Sequence, residues 1–137
     1  MTVRAFTYAD RRHLMRIERA CFPKDAWKWE DYKALLDDGG ESLVAAAASG
    51  SVVGCIWWKG CEIVSVGVLP SARGQGVGDR LLLEALLRMG VLRAELDVRP
   101  GAVSALRLYL RHGFVPASYD PDYYGRGEGA LHMIRYR

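Results

Sequence analysis

A glycine-rich turn between a predicted strand and a predicted helix constrains the fold of this chain more than any other feature. Residues 63–68 read IVSVGV, are rich in β-branched side chains and are followed by Pro70, which is typical of a buried strand. The turn reads Arg73-Gly74-Gln75-Gly76-Val77-Gly78. Residues 77–89 then have the pattern of a helix that stops at Gly90. The chain therefore passes from strand to helix through residues that permit a positive φ.

Two interpretations of this turn stay open on the residues alone. In the first, the free N–H groups at the helix N-terminus, the positive end of its dipole and the Arg73 charge bind a pyrophosphate. In the second, the turn is only a tight connection, since such turns are common. A P-loop is excluded because Gly78 is followed by Asp79 and Arg80. A dinucleotide-binding fold is excluded because the third glycine of its fingerprint is missing.

Length and composition predict a single domain over residues 1–137. The chain is 50% hydrophobic and 26% charged, which is enough to bury a core. No apolar run approaches the ~18 residues of a membrane span, and the first residues lack the apolar region of a signal peptide. We therefore expect a cytoplasmic protein with no membrane partner. The net charge of +3 is too small, and the basic residues too scattered, to indicate a nucleic-acid partner.

The cysteines and histidines indicate neither a disulfide framework nor a metal centre. The three cysteines are Cys21, Cys55 and Cys61. They form no C-x-x-C pair and leave one unpaired in any scheme, so we interpret them as reduced thiols. The three histidines are His13, His112 and His132. Because their spacing does not suit a metal site, we expect each to be structural or on the surface, and we expect no metal.

Periodicity and turn residues predict alternating strands and helices along the rest of the chain. The predicted strands are Val3–Tyr8, Ser42–Ala48, Val52–Trp58, Cys61–Leu69, Leu92–Val98, one beginning at Phe114–Ala117, and Ala130–Tyr136. The predicted helices are Ala9–Cys21, Trp27–Leu36, Val77–Met89 and Ala102–Arg111. A long loop is expected over Ser118–Gly129, and successive strand positions predict that one of Trp57 and Trp58 points inward and the other outward. This order predicts an α/β fold with one mixed sheet, antiparallel in its first half, and a right-handed parallel crossover at the glycine turn.

Together with the turn, three further segments resemble the GNAT superfamily of acetyl-CoA-dependent N-acetyltransferases. They are Cys61–Val64 followed by Val66–Pro70, then Ala105–Tyr109, then His112–Phe114. In this order and spacing they are specific, and the resemblance spans nearly the whole chain. It implies an α/β (α+β mixed sheet) fold in which two parallel strands splay apart at the cofactor site and helices cover both faces. It also implies acetyl-CoA as co-substrate.

Looser signals resemble one branch of that superfamily, the protein N-terminal acetyltransferases that act on ribosomal-protein alanine. These signals are Cys21-Phe22-Pro23, Leu96-Asp97-Val98-Arg99, Tyr123-Tyr124 and Gly127–Ala130. The resemblance implies that Phe22, Pro23, Tyr123 and Tyr124 flank a groove for the substrate. The expected acceptor is the N-terminal α-amine of a protein or peptide, and the expected assembly is a monomer or homodimer. Acetylation of a small amine and a module that binds acyl-CoA without turnover stay open as alternatives.

The resemblance also assigns the cofactor site. Backbone groups of Val66, Gly67 and Val68 would bind the pantetheine amides and the acetyl oxygen, an oxyanion-hole role worth of order 3 kcal/mol per donor. The residues that would hold the pyrophosphate are Arg73, Gly74, Gln75, Gly76, Val77, Gly78 and Asp79. Ala102 stands where the family usually has a helix-capping asparagine that touches the cofactor, so the affinity or the local geometry is expected to differ. Pro100-Gly101 would fix the turn instead.

Three residues are the candidates for moving protons. An alkyl ammonium must lose a proton before it attacks a thioester, and Glu62 and Asp97 are both open as the base. Asp97 stands where the N-terminal branch has a glutamate, so its reach is shorter. Each carboxylate is equally compatible with a solvated or arginine-paired strand end. Tyr109 occupies the position from which family members protonate the leaving sulfur, and attack is expected to be direct, since no cysteine carries a cue for a covalent intermediate.

Overall fold

Seven strands form one mixed sheet in the computed structural model, which describes residues 1–137. In chain order the strands are β1 (Thr2–Ala5), β2 (Glu41–Ala46), β3 (Val52–Lys59), β4 (Glu62–Val68), β5 (Arg93–Val98), β6 (Val115–Asp120) and β7 (Ala130–Tyr136). The helices are α1 (Arg11–Cys21), α2 (Trp29–Asp37), α3 (Val77–Met89) and α4 (Val103–Arg111). No helix has both the length and the apolar character needed to cross a bilayer.

The spatial order of the strands is β1-β2-β3-β4-β5-β7-β6, and β4–β5 is the one parallel pair. The first four strands are each antiparallel to the next, and β2, β3 and β4 form a meander. Strand β7 inserts between β5 and β6 and is antiparallel to both. This arrangement confirms the predicted α/β class with its antiparallel first half and its crossover through α3.

Both faces of the sheet are covered, and this corrects the prediction for the two tryptophans. Trp57 and Trp58 are 0% and 1% exposed. Trp57 packs against Tyr32 of α2, with ring centroids 4.4 Å apart, whereas Trp58 belongs to the core under α3 and α4. Alternation along the strand therefore sends the two side chains into two different cores, because neither face of this strand meets solvent.

The bounds of α3 and β7 match the prediction, and most other elements differ by one or two residues at an end, but β1 and β6 differ by more. Strand β1 ends at Ala5 instead of Tyr8, because Thr7 begins a tight turn in which its N–H donates to the Asp10 carboxylate at 2.9 Å. Strand β6 continues to Asp120, so the loop predicted from Ser118 begins three residues later. All residues of β6 are exposed at the sheet edge, so the second half of this strand has no alternation of hydrophobic and polar residues that would indicate a strand.

Strands β4 and β5 separate almost as soon as they meet. Their pairing is limited to Glu62 opposite Glu95, where the Glu95 N–H donates to the Cys61 carbonyl at 2.9 Å. A bulge interrupts the register of β4 against β3 just beyond this point. The rest of β4 has no strand partner on the β5 side, so the sheet contains an opening. The parallel strands predicted to splay apart are therefore observed.

Candidate active site

Backbone groups of β4 line the opening in the sheet. The Leu69 N–H donates to the Val53 carbonyl on β3 at 2.8 Å. Because N–H and C=O groups alternate between the two sides of a strand, those of Val66 and Val68 face away from β3 and into the opening. The Val68 carbonyl there accepts hydrogen bonds from Arg73 Nε at 3.0 Å and from Cys21 Sγ at 3.2 Å. Val66 thus presents its backbone N–H to the opening.

Gly67 allows α1 to approach the strand at this level. A Cβ on Gly67 would lie 2.9 Å from Ile17 Cγ2 and 3.5 Å from the ring of Phe22. Both partners belong to the end of α1 and the residue after it, so Phe22 stands at the edge of the opening. The glycine is therefore required by close packing, and it fixes where the α1–α2 loop begins.

The glycine turn leads directly from this opening into α3. Gly74 and Gly76 have φ angles of +76° and +78°, and a Cβ on either would meet nothing within 4 Å. Backbone conformation, and not crowding, therefore requires glycine at both positions. Gly76 is the N-cap of α3 and no side chain caps the helix, so its first N–H groups point into open space. The Arg73 guanidinium lies beside the turn and supplies positive charge.

Asp79 lies in the first turn of α3, but its carboxylate is directed toward the end of α4. It is 2.9 Å from His112 Nε2 and accepts hydrogen bonds from the Arg111 guanidinium at 3.2 Å. These contacts, the one to His112 first, lower the pKa of Asp79. The negative charge is thus neutralised by α4, and only the backbone of Asp79 belongs to the turn.

The start of α4 lacks a side-chain cap, as Ala102 predicted. The Ala102 N–H donates to the Arg99 carbonyl at 3.0 Å, and the Val103 N–H donates to the Gly101 carbonyl at 2.9 Å. These backbone bonds close a tight turn through Pro100-Gly101. They hold the helix start without the asparagine of the resembled family, which agrees with the predicted role of the turn.

Carboxylates and one histidine share the face of β5 and β7 next to the opening. Burial raises the pKa of Glu62, and the charges of Asp97 and Glu95 raise it further. Asp97 Oδ1 is 2.8 Å from His132 Nδ1, and Glu95 Oε1 is 3.9 Å from His132 Nε2. The structure therefore brings together both candidate bases. It also adds His132, which sequence reasoning had assigned to structure or surface and which only the register of β5 against β7 places here.

Tyr109 is buried on α4 under the other face of the sheet. Its ring packs edge-on against Phe114 with centroids 5.8 Å apart, and the side chain is 6% exposed. Burial, and after it the neighbouring Tyr124, raises the pKa of Tyr109 above its ordinary value. The hydroxyl therefore stays protonated at neutral pH, so it can act as a proton donor.

Two loops lie on the open side of this cluster. The first follows α1 and contains Phe22-Pro23, and the second joins β6 to β7 and contains Tyr123 and Tyr124. The rings of the two tyrosines pack edge to face with centroids 4.8 Å apart. Burial and the Asp97 charge raise the pKa of Tyr123, which places its side chain beside Asp97. Burial and the Tyr123 charge raise the pKa of Tyr124 to about 12.

Arg99 joins these two loops. From the end of β5, its Nε and Nη2 donate to Asp25 in the first loop, both at 2.7 Å. Its Nη1 donates to Glu128 in the second loop, and its guanidinium lies 4.2 Å from the Tyr124 ring centroid. In the sequence, Arg99 is only the last residue of the motif Leu96-Asp97-Val98-Arg99. No local pattern predicts a contact between residues this far apart in the chain.

A cleft of ≈ 640 Å³ opens beside Glu62 at the other end of β4. Its walls include Trp27, Leu35, Cys61 and Val64. Trp27 is 37% exposed there. Glu62 thus stands between this cleft and the opening of the sheet.

Comparison with known proteins agrees with this geometry. This chain belongs to the acetyltransferase (GNAT) family, which matches residues 11–114, and this confirms the resemblance. N-alpha-acetyltransferase RimI of Mycobacterium tuberculosis is 30% identical over 135 residues, covering 90% of this chain and 84% of the relative. The protein is therefore an acetyl-CoA-dependent N-acetyltransferase.

Solved structures of acetyltransferases that are named for different acceptors share the fold of this chain. The ribosomal-protein-S18-alanine N-acetyltransferase of Escherichia coli superimposes with a TM-score of 0.85 at 21% identity, covering 98% of this chain and 92% of that one. The spermidine N-acetyltransferase of Vibrio cholerae, solved with CoA and spermine, gives a TM-score of 0.79 at 18% identity, with coverage of 98% and 94%. At these identities the likeness shows the fold alone.

Proposed function

We propose that this enzyme acetylates the N-terminal α-amine of a protein or peptide. The observation that carries the proposal is that Arg99 joins the loop of Phe22-Pro23 to the loop of Tyr123-Tyr124, and we place the peptide groove along these two loops. The M. tuberculosis relative, named as an N-alpha-acetyltransferase, supports the same acceptor.

Acetyl-CoA fits the opposite side of the opening. In this proposal the N–H groups of Gly74 to Asp79, together with Arg73, hold the pyrophosphate, because the uncapped N-terminus of α3 supplies donors and positive potential. The backbone of Val66 and Val68 binds the pantetheine amides, whereas the N–H and C=O of Gly67, predicted to share this role, face β3. The Val66 N–H stabilises the acetyl oxygen as charge develops on it. The acetyl group then lies between the turn and the carboxylates.

An α-amine suits the groups on the acceptor side. Its ordinary pKa is ~8, against ~10.4 for a lysine side chain, so a weak base is enough to deprotonate it. The carboxylates of Glu62, Glu95 and Asp97 attract the ammonium form before reaction. After attack, Tyr109 protonates the departing thiolate. The same three carboxylates favour a second candidate, a small cationic amine such as a polyamine, which would need no peptide groove.

The acceptor class is tested by mass spectrometry after incubation of the enzyme with acetyl-CoA and three matched sets of acceptors. The sets are short peptides with free N-termini, the same peptides N-blocked and containing lysine, and polyamines. We expect acetylation of the free N-termini at the highest kcat/KM. If a polyamine is the better substrate, the small-amine candidate replaces the peptide. If no set gives product, the catalytic assignment itself fails for these acceptors.

The Tyr124→Ala variant is expected to raise KM for the peptide by roughly tenfold while KM for acetyl-CoA stays close to that of the unchanged enzyme. Tyr124 supplies one wall of the groove, and losing a packed aromatic contact of about 1.4 kcal/mol corresponds to a factor of ten. Steady-state kinetics with each substrate varied in turn measure both constants. Tyr136→Ala is the matched control, because Tyr136 is 67% exposed at the far end of β7. Equal changes in both KM values would contradict a groove role.

The Arg99→Ala variant is expected to have a similar effect by a different route. Without the guanidinium the two loops lose their common partner. Part of the binding free energy of the peptide is then used to order both loops, which raises its KM about tenfold. Arg99→Lys keeps the charge but not the planar fork, so it should rescue little of the loss. Lys33→Ala, which removes the exposed Lys33–Asp37 pair on α2, is the control. Full rescue by lysine would show that charge alone matters.

A further inference from the structure

The outer face of α1 carries a concentration of positive charge that the acetyl-transfer chemistry does not use. The helix reads RRHLMRIERAC, with arginine at positions 11, 12, 16 and 19. At 3.6 residues per turn, Arg12, Arg16 and Arg19 fall within an arc of about 60°. This arc is opposite the side on which Leu14 and Ile17 are buried in the core. Arg11 lies at its edge, and we call the four arginines the α1 basic face.

No acidic side chain neutralises the α1 basic face. None of its arginines forms an ion pair. Asp10, just before the helix, accepts hydrogen bonds from Arg4 at 2.8 and 2.9 Å. Glu18, the one acid within α1, is buried and accepts a hydrogen bond from the Tyr32 hydroxyl. Glu30 of α2 is exposed and pairs with none of the arginines. The positive charge is therefore available to an external anion.

The positions of these arginines do not favour the helix itself. Arg11 and Arg12 lie in the first turn of α1, where the helix dipole favours acidic residues, and this turn contains no acid. Arg12 and Arg16 are four residues apart and Arg16 and Arg19 are three apart, so their like charges repel each other. The stability of α1 therefore does not account for the α1 basic face.

A cleft of ≈ 430 Å³ lies along one side of the α1 basic face. It is lined by Arg11, Arg12, Met15, Arg19 and Trp29. Trp29 begins α2, and its ring packs edge-on against the exposed ring of Tyr8 with centroids 5.3 Å apart. The Arg11 guanidinium lies 4.9 Å from the ring centroid of Tyr8 and 5.7 Å from that of Trp29. The cleft thus combines flat aromatic surface with three guanidinium groups.

We propose that the α1 basic face and its cleft bind single-stranded RNA. Guanidinium groups bind phosphate oxygens through paired hydrogen bonds, and an unpaired base stacks on an aromatic ring such as that of Trp29. RNA supplies such bases in its loops and ends. The proposal departs from the expectation of no nucleic-acid partner, which rested on a net charge of +3 and on scattered basic residues. Folding of α1 gathers four arginines on one side of the protein.

Two other polyanionic partners fit this surface less well. A helix that lies in a membrane interface inserts its apolar side into the lipid, but the apolar side of α1 is buried at Leu14 and Ile17. The carboxylates of an acidic peptide would pair with the guanidinium groups but would leave the aromatic surface of Trp29 uncovered. Only a polyanion with planar bases uses both parts of the cleft.

Fluorescence anisotropy of a labelled single-stranded RNA of about 12 nucleotides, titrated with the enzyme over a series of salt concentrations, tests the proposal. The Arg12→Ala/Arg19→Ala variant should bind this RNA at least about tenfold more weakly. Its slope of log affinity against log salt should be smaller by about 1.4, the value for two phosphate contacts to a single strand. Arg88→Ala/Arg137→Ala removes two exposed arginines elsewhere and is the matched control, which should keep the affinity.

The Trp29→Leu variant separates stacking from charge. It removes the aromatic surface but keeps the arginines, so RNA affinity should fall about tenfold while the salt slope stays unchanged. Trp29→Phe keeps a ring and should retain most of the affinity. This second variant also preserves the aromatic contact with Phe6, whose ring centroid is 6.2 Å from that of Trp29.

Thermal unfolding distinguishes RNA binding from a structural role of the arginines. Arg12→Ala/Arg19→Ala removes positive charge from the first turn of α1 and from its repulsive pairs, so the unfolding midpoint should stay unchanged or rise. A midpoint lower by about 5 °C or more would assign these arginines to the fold and overturn the proposal.

The remaining arms of the test identify the partner. No binding of RNA, or equal losses in the two double variants, would overturn the α1 basic face as the site. Tighter binding of polyglutamate, of phosphatidylserine vesicles or of a DNA strand of the same sequence would assign the face to that partner instead. Equal affinity for double-stranded RNA, whose bases are stacked and paired, would exclude a base from the cleft. Because no arm depends on which amine is acetylated, this proposal and the acceptor assignment fail separately.

Discussion

The Gly76→Glu variant is expected to lose at least 100-fold in acetyl-CoA affinity while the protein stays folded. A Cβ at position 76 meets nothing within 4 Å, so the new side chain has room and enters the space that the pyrophosphate is proposed to occupy. Its carboxylate would repel the phosphates and compete for the free N–H groups of α3. The φ of +78° costs a non-glycine residue about 1–2 kcal/mol, which the favourable position of an anion at a helix N-terminus partly offsets.

Calorimetry with acetyl-CoA measures the affinity, and thermal unfolding followed by circular dichroism checks the fold. Gly90→Glu is a matched control, because Gly90 has a φ of +60°, equal freedom around its Cβ and a place at the opposite end of the same helix. The control introduces the same charge and the same kind of backbone strain, but about 20 Å away from the glycine turn. If both variants bind acetyl-CoA like the unchanged enzyme, the pyrophosphate does not lie at the glycine turn.

The parts of the site that lie in one continuous segment were predictable from the sequence. The strand, the glycine turn and α3 follow each other without interruption, so local propensity and the need for positive φ determine their order. The helix bounds Val77–Met89 are those predicted. The opening beside Val66 was expected only from the family resemblance. No local sequence pattern indicates where two parallel strands separate.

The parts that depend on strand order were not predictable. β7 lies between β5 and β6, and this order alone places His132 opposite Asp97. A histidine without metal-ligand spacing is unremarkable in sequence, and only the register gives it a partner. The same holds for Arg99, whose partners Asp25 and Glu128 are 74 and 29 residues away. Long-range pairing thus determined the proposed acceptor side of the site, while local sequence determined the proposed cofactor side.

The predictions for the edge of the sheet and for its centre were wrong for opposite reasons. At the edge, β6 has an entirely exposed face, so its second half has the polar composition of a loop. At the centre, β3 is covered on both faces, so alternation between Trp57 and Trp58 did not mean one buried and one exposed side chain. In both cases the number of covered faces, which is a property of the whole fold, decided the outcome.

The Tyr109→Phe variant is expected to lower kcat by about 100-fold or more with every acceptor, because it removes the proposed proton donor for the leaving thiolate and little else. Phenylalanine keeps the ring that packs against Phe114, so the thermal unfolding midpoint should stay close to that of the unchanged protein. KM for acetyl-CoA should also stay close, since the hydroxyl acts on sulfur only as the C–S bond breaks.

The pH dependence gives the second arm of this test. Burial raises the pKa of Tyr109, so its hydroxyl keeps its proton to a higher pH than a free phenol, whose ordinary pKa is ~10. The unchanged enzyme should therefore show no alkaline loss of kcat from this group up to about pH 10, and the deficit of Tyr109→Phe should be constant over that range. Tyr136→Phe, which removes an exposed hydroxyl, is the control. A Tyr109→Phe variant with unchanged kcat would assign Tyr109 to packing between α4 and the sheet, with water as the proton donor to sulfur.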